Sequence, residues 1–163
     1  MVRFAVLTSS DLGSVGKRAD TSGDIAVEVM SGAGHQLVER AITPDEHPRI
    51  VEYLKRWCFS GEIDVIITTG GTGLGPRDVT PEATMDVLEY QVPGMAEAMR
   101  AESLKVTPMA MISRAVVGVR GRTLIINLPG SPGGVKDNLA VVLPVLTHAV
   151  EILRDRHTGA HPV

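Results

Sequence analysis

Short apolar runs alternate with amphipathic stretches along this chain. Residues 3–8 form one such run and end in Thr8-Ser9-Ser10-Asp11, which reads as a strand entering the polar, glycine-bearing loop at residues 11–22. Ile25, Val29 and Ala33 then recur four apart and Gly34 follows, predicting a helix that stops there. Residues 36–42 read as a second strand. The next helix shows one apolar face in Ile50, Val51, Leu54, Trp57 and Cys58, and it has two candidate starts. A capping box at Thr43-Pro44-Asp45-Glu46 puts Pro48 beyond the first turn, whereas Asp45 as the cap keeps Pro48 harmlessly inside it; the second start is preferred.

Residues 63–69 are nearly continuous and β-branched, the pattern of a strand covered on both faces. Thr80-Pro81-Glu82 predicts a helix with Thr80 as cap, proline next and an acid in the first turn. Residues 93–105 read as helix, residues 109–113 as a short helical turn, and residues 115–120 and 123–128 as two strands split by Gly121. The last helix opens at Ser131-Pro132 and lines up Val135, Leu139, Val142, Leu146, Val150 and Leu153, with a kink expected at Pro144. Residues 1–156 are expected to form a single domain, and residues 157–163 a frayed tail.

This order of elements implies an α/β fold, a mostly parallel sheet with helices on both faces. Ligands in such sheets bind beyond the carboxyl ends of strands, near a topological switch point. Three polar or glycine-rich loops fall there: residues 8–11, residues 68–73 and residues 128–134. They argue for one site.

Composition narrows what that site can be. The 163 residues carry a net charge of −3, so no overall basic surface exists for nucleic acid. Aromatic residues make up only 3%, which disfavours a pocket that stacks flavins or bases. The single cysteine, Cys58, excludes an intramolecular disulfide and a zinc cluster. Residues 4–7 are too short for a signal-peptide core, and Pro144, Thr147, His148 and Glu151 interrupt the longest apolar stretch. A cytoplasmic protein with no membrane partner is expected.

The loop after the third strand carries most of the chemistry. Its glycines let backbone amides close around an anion. Thr69 and Thr72 add hydroxyl donors, Arg77 can pair with a phosphate, and Asp78 is placed to hold a metal. The plain alternative is a flexible strand-to-helix connection. Asp45 and Asp78 each close such a connection, and a carboxylate pair can hold Mg²⁺ while phosphates complete the shell. For Asp45 alone, and for Asp20 and Ser22, a helix-capping role is the competing reading; Glu82 suits its helix dipole. Gly13-Ser14-Val15-Gly16-Lys17 lacks P-loop spacing, and Gly71-Thr72-Gly73 fails the dinucleotide fingerprint at Pro76. The histidines show no ligand spacing, and Ser9 and Ser131 have no histidine base beside them.

Together these segments resemble the molybdopterin adenylyltransferases, the Mog and MoaB type of molybdenum cofactor biosynthesis proteins. The likeness rests on Thr68-Thr69-Gly70-Gly71-Thr72-Gly73 and Pro76-Arg77-Asp78-Val79-Thr80-Pro81-Glu82-Ala83-Thr84. It extends through Val92-Pro93-Gly94, Glu102-Ser103-Leu104-Lys105, Ser113-Arg114, the run from Leu124 to Gly130, and Thr43-Pro44-Asp45. The resemblance implies a three-layer αβα domain, a homotrimer, Mg²⁺, and ATP and molybdopterin as substrates, with possible hand-over of the product to a molybdenum insertase. It implies Asp45 and Asp78 as the essential, metal-holding acids. Gly70, Gly71, Thr72, Gly73, Arg77 and Glu82, with Pro129, Gly130 and Ser131, fall on the pterin and phosphate side. Thr8, Ser9, Asp11, Asp20 and Ser22 fall on the nucleotide side. Some relatives carry asparagine where this chain has Ser131. A molybdopterin-binding relative without transferase activity is the nearest alternative, and a flavodoxin-like carrier the alternative of another class.

Overall fold

The computed structural model describes residues 1–158. The apolar runs become six strands: β1 (Arg3–Ser9), β2 (Gln36–Thr43), β3 (Val65–Thr69), β4 (Tyr90–Gln91), β5 (Val117–Arg120) and β6 (Thr123–Leu128). The helices are α1 (Asp11–Ser14), α2 (Thr21–Gly32), α3 (His47–Ser60), α4 (Thr80–Met85), α5 (Pro93–Leu104) and α6 (Pro132–Thr158), with a 3-10 turn at Pro108–Ile112. Strand order is β2-β1-β3-β6-β5-β4. The first four strands run parallel, while β5 folds back on β6 and β4 pairs antiparallel with β5. Because β2 and β3 lie on opposite sides of β1, the switch point lies between β1 and β3.

Alternation along the strands splits the core in two. Phe4, Val6, Val65, Ile67, Ile126 and Leu128 meet α2, α5 and α6 through Met30, Met99, Leu139 and Leu146. Ala5, Leu7, Ile66 and Ile125 face the other way, onto Ile50, Leu54 and Trp57 of α3 and Ala83 of α4. This is the expected three-layer α/β arrangement.

Several local expectations need correcting. Helix α3 begins at His47 with Glu46 in the cap position and no side-chain cap bond, so neither Thr43 nor Asp45 caps it. The carboxylate of Asp45 is taken by Ser9 and by the amide of Asp11 instead. Thr80 is the first residue of α4 rather than its cap, which is Val79. Pro144, where a kink is expected, lies inside α6 as the sequence reading has it, and that helix continues through Thr158. The expected tail otherwise lies outside the described residues. Residues 11–14, read as loop, form one turn capped by the Ser10 hydroxyl. Strand β4 has only two residues, too few to show an alternation.

At the amino ends of the strands, far along the sheet from the glycine loop, Asp64 is 3% exposed and ties three segments together. It accepts from the Arg3 amide at 2.8 Å, Arg3 Nη2 at 3.0 Å and Arg154 Nη2 at 2.6 Å. Burial pushes this carboxyl's pKa up, but the bonds from the two guanidinium groups outweigh it and hold the pKa below the ordinary range. Its contribution is therefore complete above about pH 4 and drains away as the pH falls below that. Asp64→Asn is expected to cost about 2–3 kcal/mol near neutral pH. The gap from wild type should narrow in acid, as read from urea midpoints at both pH values.

Candidate functional site

Parallel strands β1 and β3 deliver their last residues to one edge, and there Asp45 becomes a hub. Ser9 donates its hydroxyl to Asp45 Oδ1 at 2.6 Å, and the Asp11 amide donates to Oδ2 at 2.9 Å. The Asp45 amide in turn donates to Asp11 Oδ1 at 2.9 Å. Asp45 therefore fastens the connection after β2 to the end of β1. Asp11 also takes a two-pronged bond from Arg77, through Nε at 2.9 Å and Nη2 at 2.8 Å. That guanidinium, followed by the Asp45 amide, holds the Asp11 carboxyl below its ordinary pKa range.

Behind the hub, Asp20 caps α2 by accepting from the Gly23 amide at 3.0 Å, and it also accepts from Thr8 at 2.9 Å. Arg40 pairs with Asp20 at 2.7 Å and with Asp24 at 2.7 Å. Ser22 donates to the Gly130 carbonyl at 2.5 Å, and Thr69 to the Pro129 carbonyl at 2.8 Å. The loop after β6 is thus tied to β3 and α2.

The glycine run makes room chiefly for protein groups. Gly70 and Gly71 have φ of 91° and 68°. A Cβ on Gly70 would strike the Ser9 carbonyl, and one on Gly71 the Thr80 hydroxyl. A Cβ on Gly73 or Gly75 would lie 2.8 or 2.9 Å from Asp78 Oδ2. Asp78 accepts from the Gly75 amide at 2.9 Å, closing the loop on itself. The Thr80 hydroxyl is buried and has no partner, as is that of Thr43.

Two cavities meet across this wall. One of about 530 Å³ is lined by Thr8, Ser9, Asp20, Ser22, Asp45, Gly70, Gly71, Asp78 and Gly130. All nine were expected from the sequence. Thr72, Gly73, Pro129 and Ser131 line instead a second, mostly apolar pocket of about 230 Å³, with Met99, Met109, Ala110 and Ile112. Asp11, Arg77 and Glu82 line neither. Arg77, expected to pair with a phosphate, is paired with Asp11 in this structure; Glu82 is paired with Arg114, which lowers its pKa. Among the described residues, no group of three or more histidines, cysteines or acids could by itself hold a metal ion.

The family described as "Probable molybdopterin binding domain" matches residues 5–148. This chain belongs to that family. The crystal structure of the molybdopterin biosynthesis enzyme MoaB from Thermus thermophilus is 50% identical, with a TM-score of 0.88 over 94% of this chain and 96% of that one. The molybdopterin adenylyltransferase of Helicobacter pylori is 39% identical over 154 residues, covering 93% of this chain and 88% of its own length. The molybdenum cofactor synthesis protein cinnamon of Drosophila melanogaster is 42% identical over 156 residues, 94% of this chain. There the match spans only 26% of the relative, so the chain spans about a quarter of that protein.

In this molybdopterin-binding domain, three residues that the sequence did not single out for the site hold it in shape. Arg114 donates to the Gly73 carbonyl at 2.8 Å, to the Asp78 carbonyl at 2.7 Å and to Glu82, so it staples both ends of the loop that carries Asp78. Its place in Ser113-Arg114, within the resemblance, was the available signal. Buried Asn127 donates to Thr68 at 2.9 Å and Thr84 at 3.0 Å, joining β6, β3 and α4. Arg40, on the strand at the sheet edge, left no local signal; its role depends on α2 packing beside it.

Proposed function

We propose that this chain transfers AMP from ATP to the phosphate of molybdopterin and releases pyrophosphate. The observation that carries the reading is that Asp45 and Asp78, from separate connections, line one cavity with Gly70 and Gly71. Those two carboxylates offer hard oxygen donors and would hold a Mg²⁺ ion together with the substrate phosphates. When bound, that Mg²⁺ would neutralise charge on the phosphates.

The chain's own groups position the reactants. An ionised oxygen of the molybdopterin phosphate attacks the α-phosphorus, and the bond to the bridging oxygen breaks as pyrophosphate leaves. The attacking oxygen carries no proton, so no general base is required. Holding two anions in line is the task. In this reading the larger polar cavity takes the nucleotide and the phosphates. The apolar pocket beside residues 129–131 takes the pterin, with Asn138 and Ser103 as polar edges. The relatives named for molybdopterin adenylyl transfer and cofactor biosynthesis support this assignment.

A homotrimer working in the cytoplasm, handing its product to a molybdenum insertase, is the accompanying proposal. The exposed side chains of Leu104, Val106, Met109 and Met111 give such an assembly an apolar surface to bury. The test is pyrophosphate release from Mg-ATP with and without molybdopterin. Release that depends on molybdopterin is expected. Tight molybdopterin binding with no release would favour a binding protein instead.

A further inference from the structure

Cations around the larger cavity are few, and most are committed to protein partners. Arg40 is held between Asp20 and Asp24, Arg77 is forked on Asp11, and Arg114 is occupied by the loop it staples. Arg18 is different. It lines the cavity, it is exposed, and among the described residues it has no hydrogen-bond or ion-pair partner. The segment before it is pinned: the Lys17 amide donates to the Leu12 carbonyl at 2.9 Å and the Gly16 amide to the Gly13 carbonyl at 3.1 Å. Gly16, at φ 73°, makes the turn. The segment after it ends at Asp20, fixed as the cap of α2. A guanidinium with every donor free is therefore brought to the rim of a cavity that also holds Asp45 and Asp78.

We propose that Arg18 binds the pyrophosphate portion of the nucleotide, the β- and γ-phosphates that become the leaving group. This inference rests on the adenylyl-transfer reading above and names the group that receives the departing charge. As the bond from the α-phosphorus to the bridging oxygen breaks, its electron pair leaves with pyrophosphate. Carboxylates oppose that charge and an unpaired guanidinium accepts it, through charge-assisted bonds in a planar fork. Arg18 is a ligand of the leaving group, distinct in role from the acids that hold the metal.

The test compares wild type with Arg18→Gln and Arg18→Lys, using calorimetric binding of Mg-pyrophosphate and of AMP, and kcat/KM for ATP. Arg18→Gln is expected to weaken pyrophosphate binding by about 10- to 100-fold, the loss of one charge-assisted bond to an anion. AMP binding should stay unchanged, and Arg18→Lys should recover part of the loss. Equal pyrophosphate affinity in wild type and Arg18→Gln overturns the proposal, as does an equal loss of AMP and pyrophosphate affinity, which marks a general disturbance of the loop. Pyrophosphate binding that needs Arg18, in a protein that releases none from ATP and molybdopterin, upholds Arg18 as the anion ligand and overturns adenylyl transfer. Normal release with unchanged affinities in Arg18→Gln does the reverse.

Discussion

Asp78→Asn is expected to slow molybdopterin-dependent pyrophosphate release by about 100- to 1,000-fold, the range for removing one group that stabilises developing charge. The substitution separates charge from shape. Asp78 Oδ2 accepts from the Gly75 amide at 2.9 Å, and an asparagine carbonyl can accept the same bond. The loop is also stapled by Arg114 through the main-chain carbonyls of Gly73 and Asp78, contacts that no side-chain change at residue 78 removes. The fold should therefore survive, with a melting temperature close to wild type. What disappears is a negative charge on the cavity wall, and with it the proposed grip on Mg²⁺. Molybdopterin affinity measured without nucleotide should change little, since the apolar pocket does not include Asp78. A variant that kept the full rate at saturating Mg-ATP would remove Asp78 from the mechanism.

The sequence disclosed this site unevenly, and the reasons are physical. Strand β3 was legible because a strand covered on both faces must be apolar throughout, and residues 65–69 are all buried. The loops after β1, β3 and β6 were legible because parallel strands end together, so their polar endings had to share an edge. Asp45 and Asp78 followed from that placement, with the family resemblance assigning their roles. Partner choice was not legible. Asp11 opens α1 and Arg77 lies in the loop before α4, far apart in sequence, and only the folded register shows them paired. The glycine run illustrates the same limit. Its conformational freedom was apparent from composition, but the groups that occupy the missing Cβ positions of Gly70 and Gly71 belong to β1 and α4. Thr80 was misplaced by one residue because a threonine before a proline looks like a cap, while here its hydroxyl is turned onto Gly71.

Gly70→Ala is expected to be among the most damaging single-methyl additions available to this protein, destabilising it by about 2–5 kcal/mol and abolishing activity. Two costs combine. Residue 70 has φ of 91°, a conformation that side chains disfavour. The new Cβ would also strike the carbonyl oxygen of Ser9, a backbone atom. Ser9 cannot withdraw easily: it pairs with Thr43 across to β2, and its hydroxyl is on Asp45 at 2.6 Å. Gly70 cannot retreat freely either, because its amide donates to the Leu128 carbonyl at 3.3 Å. Relief therefore requires β1 to part from β3 at their carboxyl ends, the place where Asp45 is anchored. Gly94→Ala is the matched control. Its added Cβ meets nothing within 4 Å, and helix α5 should gain up to about 1 kcal/mol from the better helix former. Urea midpoints for the two variants should move in opposite directions. A Gly70→Ala protein with a wild-type midpoint would show that the β1 and β3 ends separate at little cost, and the close approach would no longer explain why this position is glycine.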